Sequence, residues 1–244
     1  MTQLPRKLYK AVLLILLLTV GVGLKRTGTI AYFRDPYVYA DLFRLMWQHI
    51  HMVFYSMLIA TVVGVSVGVI LTRPRLKAYT GLVMYIVSLG QTIPSLAVLA
   101  LAMSFLGIGS KPAIFALTIY SILPIARNTL AGINAVPPPI IDAARGMGMG
   151  TWGILLEVEM PMAMQVILTG FRIALVINIG TAALAYLIGA GGMGDWIFSG
   201  INLMKTDKLL AGSIPVTLLA LFADFLVDLL GMVLVSKGLR ITDR

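Results

Sequence analysis

Charged side chains inside apolar stretches are the first candidates for chemistry in this sequence. Arg172 lies within the apolar stretch 161–190, and Asp224 and Asp228 lie within the stretch 209–236. If these stretches cross a membrane, the ions are costly and are therefore usually paired or functional. Counted along straight helices, Arg172 and Asp224 reach a similar depth, and Asp228 shares the face of Asp224. These positions predict an ion pair between Arg172 and a carboxylate. A proton or cation relay, or a carboxyl group facing a polar cavity, is the alternative.

A second constellation is the stretch "DAARGMGMGTWGILLEVEMP" at residues 142–161. The preceding "VPPPI" can end one helix and begin another, which places Asp142 in a first turn, where a carboxylate is favourable. Small residues follow, and Gly150 is expected to end this helix before a second short helix at 152–158, which stops ahead of Pro161. Two interpretations fit this pattern: a solvated connector, or a smooth element that docks into the groove of a partner.

The elements that must position these residues are membrane spans. Of 244 residues, 59% are hydrophobic and 12% charged, at a mean hydropathy of +0.95, whereas soluble domains carry about 25% charged residues. Several stretches can cross about 30 Å of hydrocarbon as helices, and the sequence lacks the short alternating strands of a membrane barrel. We therefore predict an all-α polytopic membrane protein with about six spans, at 8–24, 52–72, 79–106 with an interruption at Pro94, 112–135, 161–190 and 209–236.

The basic residues predict an orientation and explain the net charge of +9 without nucleic acid. With the N-terminus inside, the inner segments hold eleven Lys and Arg residues and the outer segments hold seven. Cytoplasmic loops carry such an excess, so both termini and the stretch 142–161 are expected in the cytoplasm. The predicted units are an N-terminal helix and outer segment at 1–48, a transmembrane domain at 49–237 and a tail at 238–244. A cleaved signal peptide is the alternative for the first span.

Several simpler motifs indicate packing. Gly64 and Gly68 form a small-residue face suited to contact between helices, and Trp196 is expected at the outer membrane interface. His49 and His51 are two residues apart, so they do not share a helix face and no metal site is predicted.

A G-x-G-x-x-G pattern occurs at Gly189, Gly191 and Gly194. A dinucleotide site needs a strand before this pattern, and here a membrane span precedes it. We therefore predict a tight turn or a re-entrant segment. No P-loop motif occurs in the sequence, so the chain cannot bind ATP through a P-loop.

The stretch 142–161 resembles the cytoplasmic loop of permease subunits in binding-protein-dependent ABC importers. That loop has the form Glu-Ala-Ala, three residues, Gly, nine residues, Ile-x-Leu-Pro. This chain keeps the spacing with Asp for Glu, Val for Ile and Met for Leu, at Asp142, Ala143, Ala144, Gly148, Val158, Met160 and Pro161. The stretches "GQTIPS", "RNT" and "IGAGGMGD" are similar to the osmoprotectant branch, which transports glycine betaine, carnitine, choline and related quaternary amines.

The resemblance implies a MetI-like permease core in the bacterial inner membrane, with residues 137–161, here called the coupling loop, docked on an ABC ATPase. It also implies two ATPase copies that hold ATP and Mg²⁺, a second permease copy or paralogue, an extracytoplasmic solute-binding protein, surrounding lipid, and no cofactor in this chain. Polar residues that could line a translocation path are Gln91, Thr92, Pro94, Ser95, Asn178 and Thr181. The rival functions are an importer for methionine, another amino acid or a taurine-like anion, and an ion-coupled secondary transporter.

Overall fold

A computed structural model describes residues 21–23 and 25–235. Secondary structure there is helical, with a short 3₁₀ turn at Lys77–Tyr79. We number the remaining helices α1 to α9 in chain order: Thr29–Tyr32, Pro36–Leu71, Thr80–Thr92, Ser95–Leu106, Ser110–Asn134, Pro138–Gly146, Thr151–Ile188, Gly194–Asn202 and Thr206–Leu234. The end of the bundle that carries α6 is called the inner end, and the opposite end is called the outer end.

Helix α2 is longer than the sequence indicated. It begins at Pro36, where Asp35 accepts a hydrogen bond from the Tyr37 amide at 3.0 Å, and it ends at Leu71. The predicted span 52–72 therefore ended at the correct position but began too late in the sequence, at residue 52 and not at Pro36. Polar residues in the first four turns hid the extension, because an apolar window detects only the part of a helix that hydrocarbon surrounds.

The contact between α2 and α5 confirms the predicted small-residue face. A methyl group added to Gly64 would approach Ile125 within 2.9 Å, and one added to Gly68 would approach Thr129 within 2.5 Å. Glycine at these positions lets the two backbones come close together, which is how helices pack where no water drives their association.

The predicted span 79–106 is interrupted at Pro94, as expected. Helices α3 and α4 meet at a bend of 95°, and the break contains Ile93 and Pro94 in extended conformations. Proline has no amide to donate and disfavours a helical residue before it, which favours a break at this position. The spans predicted at 112–135 and 209–236 correspond closely to α5 and α9.

The prediction of a separate short helix at 152–158 is wrong. Helix α7 starts at Thr151, passes through six residues of π-helix at Ile154–Glu159, becomes regular α-helix at Met160–Ala182 and tightens to 3₁₀ at Ala183–Ile188. Gly150 does precede a helix, but Pro161 does not end it. The wider π turns directly before Pro161 let the helix pass a residue that lacks an amide.

The core lies where α2, α5 and α7 meet, and α9 packs more peripherally. Over their most apolar windows, α5 is 56% buried whereas α9 is 11% buried. Four described helices can span a membrane, or five spans if the bent α3–α4 pair counts as one. The predicted first span, 8–24, falls almost entirely outside the described residues, so they correspond to the other five predicted spans.

Candidate functional site

Helix α6 presents the first part of the coupling loop on the surface. Asp142 and Ala143 are exposed, whereas Ala144 is 2% exposed and faces the molecule. The Asp142 carboxylate accepts a hydrogen bond from Arg145 at 3.3 Å, with both side chains largely exposed to solvent. An exposed pair of this kind contributes little to stability. Both side chains are therefore accessible to a partner.

Gly148 ends α6 through its backbone geometry. Its φ is +83°, its amide donates to the carbonyl of Arg145 at 2.9 Å, and the Met149 amide donates to the carbonyl of Ala144 at 3.1 Å. These two bonds form a Schellman cap, which favours glycine at the left-handed position. The glycine that the resemblance singles out thus has a local reason to be glycine, and a methyl group there would meet open space.

The second part of the coupling loop continues into α7. Val158 and Met160 are partly buried, and Pro161 is exposed at the start of the regular helix. Large apolar side chains stand out from this region, with exposed fractions of 76% for Met147 and 75% for Trp152. Contiguous exposed apolar patches are typical of contact surfaces, and these two side chains are candidates for such a patch. Trp152 carries no special weight in the sequence motif.

An ion pair joins the base of the coupling loop to the end of α2. The guanidinium of Arg73 donates to the carboxylate of Glu159 at 2.5 Å, and the side chain of Glu159 is only 10% exposed. Arg73 also donates to the hydroxyl of Thr72 at 2.8 Å. Sequence reasoning counted Arg73 only as a topology signal and missed this contact, because a separation of 86 residues leaves no local pattern.

Tyr120 of α5 braces the break between α3 and α4. Its hydroxyl donates to the carbonyl of Ile93, and its own carbonyl accepts from the side-chain amide of Gln91 at 2.7 Å. Thr92 is exposed and bonds the carbonyl of Leu89, and Ser95 is partly buried at the start of α4. A backbone carbonyl freed at membrane depth needs such a donor. Tyr120 is the residue that the sequence analysis missed here.

Asn178 is placed differently from the expectation that it lines a path. Its side chain is 0% exposed, and its amide donates to Ser121 at 2.7 Å and to Ser56 at 3.0 Å. It therefore forms a buried polar junction between α2, α5 and α7. The length of the apolar stretch predicts that Asn178 lies within a span, but not which face of the span is buried. Thr181 is partly exposed and bonds the carbonyl of Ile177 within its own helix.

Arg172 lies between Asp224 and Asp228 of α9. Its guanidinium donates two hydrogen bonds to Asp224 and one to Asp228 at 2.7 Å. The exposed fractions of the three side chains are 38%, 29% and 55% in that order. The structure thus brings together the three residues that the sequence grouped, in a bidentate geometry that suits arginine. A groove of about 260 Å³ opens beside them.

The glycine-rich outer segment is packed tightly against α2. Gly189, Gly191 and Gly192 have positive φ, and the Gly192 amide donates to the side chain of Gln48 at 3.0 Å. The neighbouring Trp196, expected at the membrane interface, is instead 2% exposed and lies edge-on to Tyr32. This is the predicted tight turn, and it returns the chain from α7 to α8.

His49 of α2 makes a further contact between α2 and α7 near this outer segment. At the end of the α-helical part of α7, the Ala183 amide turns to the carbonyls of Gly180 and Thr181. The carbonyl of Ile179 then accepts from Nε2 of the buried His49 at 2.9 Å. Within residues 21–23 and 25–235, no three His, Asp or Glu side chains gather as metal ligands would.

Residues 60–232 match the family model described as the binding-protein-dependent transport system inner membrane component. The chain belongs to this family. The helices described above are therefore those of a permease chain of such a transport system. The match includes the coupling loop, the broken span, the Arg172 cluster and the outer glycine segment.

Within this family, the chain is similar to permeases that are named for osmoprotectants and carnitine. The chain is 48% identical over 191 residues to the osmoprotectant import permease protein OsmY of Salmonella typhimurium, covering 78% of this chain and 81% of that protein. It is 44% identical over 195 residues to the carnitine transport permease protein OpuCB of Listeria monocytogenes, covering 80% and 88%. A solved structure of the MetNI methionine ABC transporter in inward-facing conformations has a chain that matches at a TM-score of 0.74 and 25% identity, covering 83% of this permease and all of that chain.

Proposed function

We propose that this permease forms the translocation path of an ATP-driven importer for quaternary-amine osmoprotectants such as glycine betaine, carnitine or choline. The observation that carries the solute class is the identity of 44–48% to permeases named for osmoprotectants and carnitine, against 25% to the methionine transporter. These names favour the quaternary amines over methionine, another amino acid or a taurine-like anion.

The coupling loop is the proposed docking site for the ATPase. Asp142 and Arg145 bond only each other among the described side-chain hydrogen bonds and ion pairs, and Trp152 and Met147 are exposed apolar side chains of the same loop. An exposed apolar surface with a charged rim fits insertion into a groove. The 244 residues contain no P-loop, so ATP and Mg²⁺ are held by the partner ATPase, which we take to be present in two copies.

The proposed path lies at the broken span. Gln91, Thr92 and Ser95 surround the bend at Pro94, where a backbone carbonyl leaves the helical pattern. The second permease, a copy or a paralogue, closes the other side, and a binding protein delivers the solute at the outer end. Both termini and the coupling loop lie in the cytoplasm in this arrangement, and Asn178 supports the path from within the core. Nucleic acid has no part in this function.

Reconstitution tests the proposal directly. The permease is placed in vesicles with its ATPase and binding protein, and uptake of radiolabelled glycine betaine, carnitine and choline is compared with uptake of methionine and taurine. We expect ATP-dependent uptake of at least one quaternary amine. Uptake of methionine or taurine alone would reject the solute class. Uptake driven by an ion gradient without the ATPase would establish a secondary transporter instead.

A further inference from the structure

The contact between Arg73 and Glu159 lies where three elements meet: the end of α2, the start of α3 and the π-helical part of α7. Glu159 is the last residue of the π-helical part of α7 and is 8% exposed. Arg73 follows the end of α2, and its side chain is 25% exposed. A carboxylate with so little access to water needs a charged or hydrogen-bonding partner, and Arg73 provides both.

The end of α2 holds Arg73 in place. The Thr72 hydroxyl donates to the carbonyl of Val69 at 2.6 Å and accepts from Arg73 through both Nε and Nη2. The hydroxyl of Thr80, which starts α3, donates to the carbonyl of Leu71 at 3.2 Å. The guanidinium is thus fixed to the last turn of α2, and the start of α3 is fixed to the same turn.

Force applied to the coupling loop has a direct route to this junction. Ala144 of α6 is buried, as are Ile154 and Leu155 in the π-helical turn, and α6 contacts this turn. The exposed Trp152 belongs to the same continuous helix as Glu159. Displacement of α6 or Trp152 therefore moves the π-helical turn, and Glu159 is the residue of that turn that bonds Arg73 directly after α2.

Helix α2 extends from this junction to the outer end. Ser56 of α2 meets Asn178, His49 meets the Ile179 carbonyl, and Gln48 holds the Gly192 amide. A shift of α2 at Arg73 would therefore reach the centre of the bundle and the outer glycine segment through direct contacts.

We propose that Arg73 and Glu159 form the joint that transmits movement of the ATPase-docked coupling loop to α2. The inference rests on the proposed function of the coupling loop and adds two positioning residues to it. Neither residue touches the solute. Their ion pair keeps α2 and α7 moving together at the inner end, so that ATPase closure is converted into a change of the whole path.

Charge exchange tests the joint in the reconstituted complex. The variants are Arg73→Glu, Glu159→Arg and the double exchange, and the readout is solute taken up per ATP hydrolysed. Each single variant should retain ATPase association but lose about tenfold in this ratio, a size typical of coupling between two sites. The double exchange should recover much of it. Arg75→Glu is the matched control, because its side chain is exposed nearby and lies outside the coupling loop, and it should leave the ratio unchanged.

A purely structural pair would lower the amount of folded complex and leave the ratio of the surviving complexes at the wild-type value, which would overturn the joint. Where the reversals do not fold, Glu159→Gln keeps the shape and removes the charge. A wild-type ratio in Glu159→Gln would also overturn the proposal. If the wild-type complex imports another solute, the same ratio is measured with that solute. Wild-type permease that binds no ATPase would reject the proposed function itself.

Discussion

Two glycine-rich segments lie at opposite ends of the bundle, and their glycines differ in their surroundings. In the coupling loop, a methyl group added at Gly146, Gly148 or Gly150 would have no atom within 4 Å. In the outer segment, a methyl group added at Gly194 would overlap the backbone carbonyl of Ala183, and one at Gly191 would overlap the side chain of Gln48.

The difference separates two reasons for the same residue type. The outer glycines are needed by the fold of this chain, because other parts of the chain occupy the space of a side chain. The inner glycines leave a smooth surface that nothing in the described chain fills, and of the three only Gly148 has a φ that favours glycine. Substitutions at the outer end should therefore act on folding, whereas those at the inner end should act on the contact with a partner.

The largest effect is expected at Gly194. The Gly194→Ala methyl would overlap backbone, which cannot move aside as a flexible side chain can, and the expected loss exceeds about 4 kcal/mol. Folded yield and the temperature at which the detergent-solubilised protein aggregates should both fall. Gly150→Ala is the matched control, since its φ of −72° suits alanine and its surroundings are open. Equal stability of the two variants would contradict the comparison.

The Arg172 cluster is a second place where internal contacts decide stability. Removing one partner leaves the remaining charge without its hydrogen-bonded counterion, and the partial exposure of the cluster reduces the cost relative to that of a fully buried pair. Arg172→Ala and Asp224→Ala should each lower folded yield, and the double variant should lose less than the sum. Double-mutant cycles with Asp224 and with Asp228 measure the two couplings, and the bidentate contact predicts the larger value for Asp224.

Single variants of the cluster that fold normally but transport no solute would show that the charges line the path. The pair would then belong with the functional residues of the inner end rather than with the packed glycines.

Gly148 has both a backbone conformation that favours glycine and an open surface around it, and two replacements distinguish these two reasons. Gly148→Leu places a branched side chain at a φ of +83° and should cost about 1–2 kcal/mol of stability. We expect it to abolish uptake while the protein stays in the membrane. Gly148→Asn tolerates the left-handed conformation better and should preserve the end of α6. If Gly148→Asn keeps both stability and uptake, the cap explains this glycine; if it folds but loses uptake, the smooth surface is required.

The same contrast explains what could be predicted from the sequence. Span positions followed from apolar length, and the bend at Pro94 followed from the chemistry of proline. The pattern at residues 142–161 could be recognised because its residues are close in sequence, and their coupling role stays a prediction. Arg73 with Glu159, Tyr120 with Ile93, and the burial of Asn178 could not be predicted, because each depends on which helix faces meet in space. Pro161 indicated a helix end that the structure does not have, since a π-helical turn precedes it and the helix continues.

The substitutions with the smallest expected effect on the protein test which end of the bundle faces the cytoplasm. The chain has no cysteine, so single cysteines introduced at exposed positions report access without background. Gly150→Cys lies in the coupling loop and Lys205→Cys lies just before α9 at the outer end, and both positions are exposed. Neither change should alter stability measurably, because neither side chain is packed. In intact cells, a membrane-impermeant maleimide should label Lys205→Cys, and it should label Gly150→Cys only after the membrane is opened. The reverse pattern would place the coupling loop outside the cell, where no ATPase could reach it. Labelling of both positions in intact cells would show that the basic residues do not fix a single orientation.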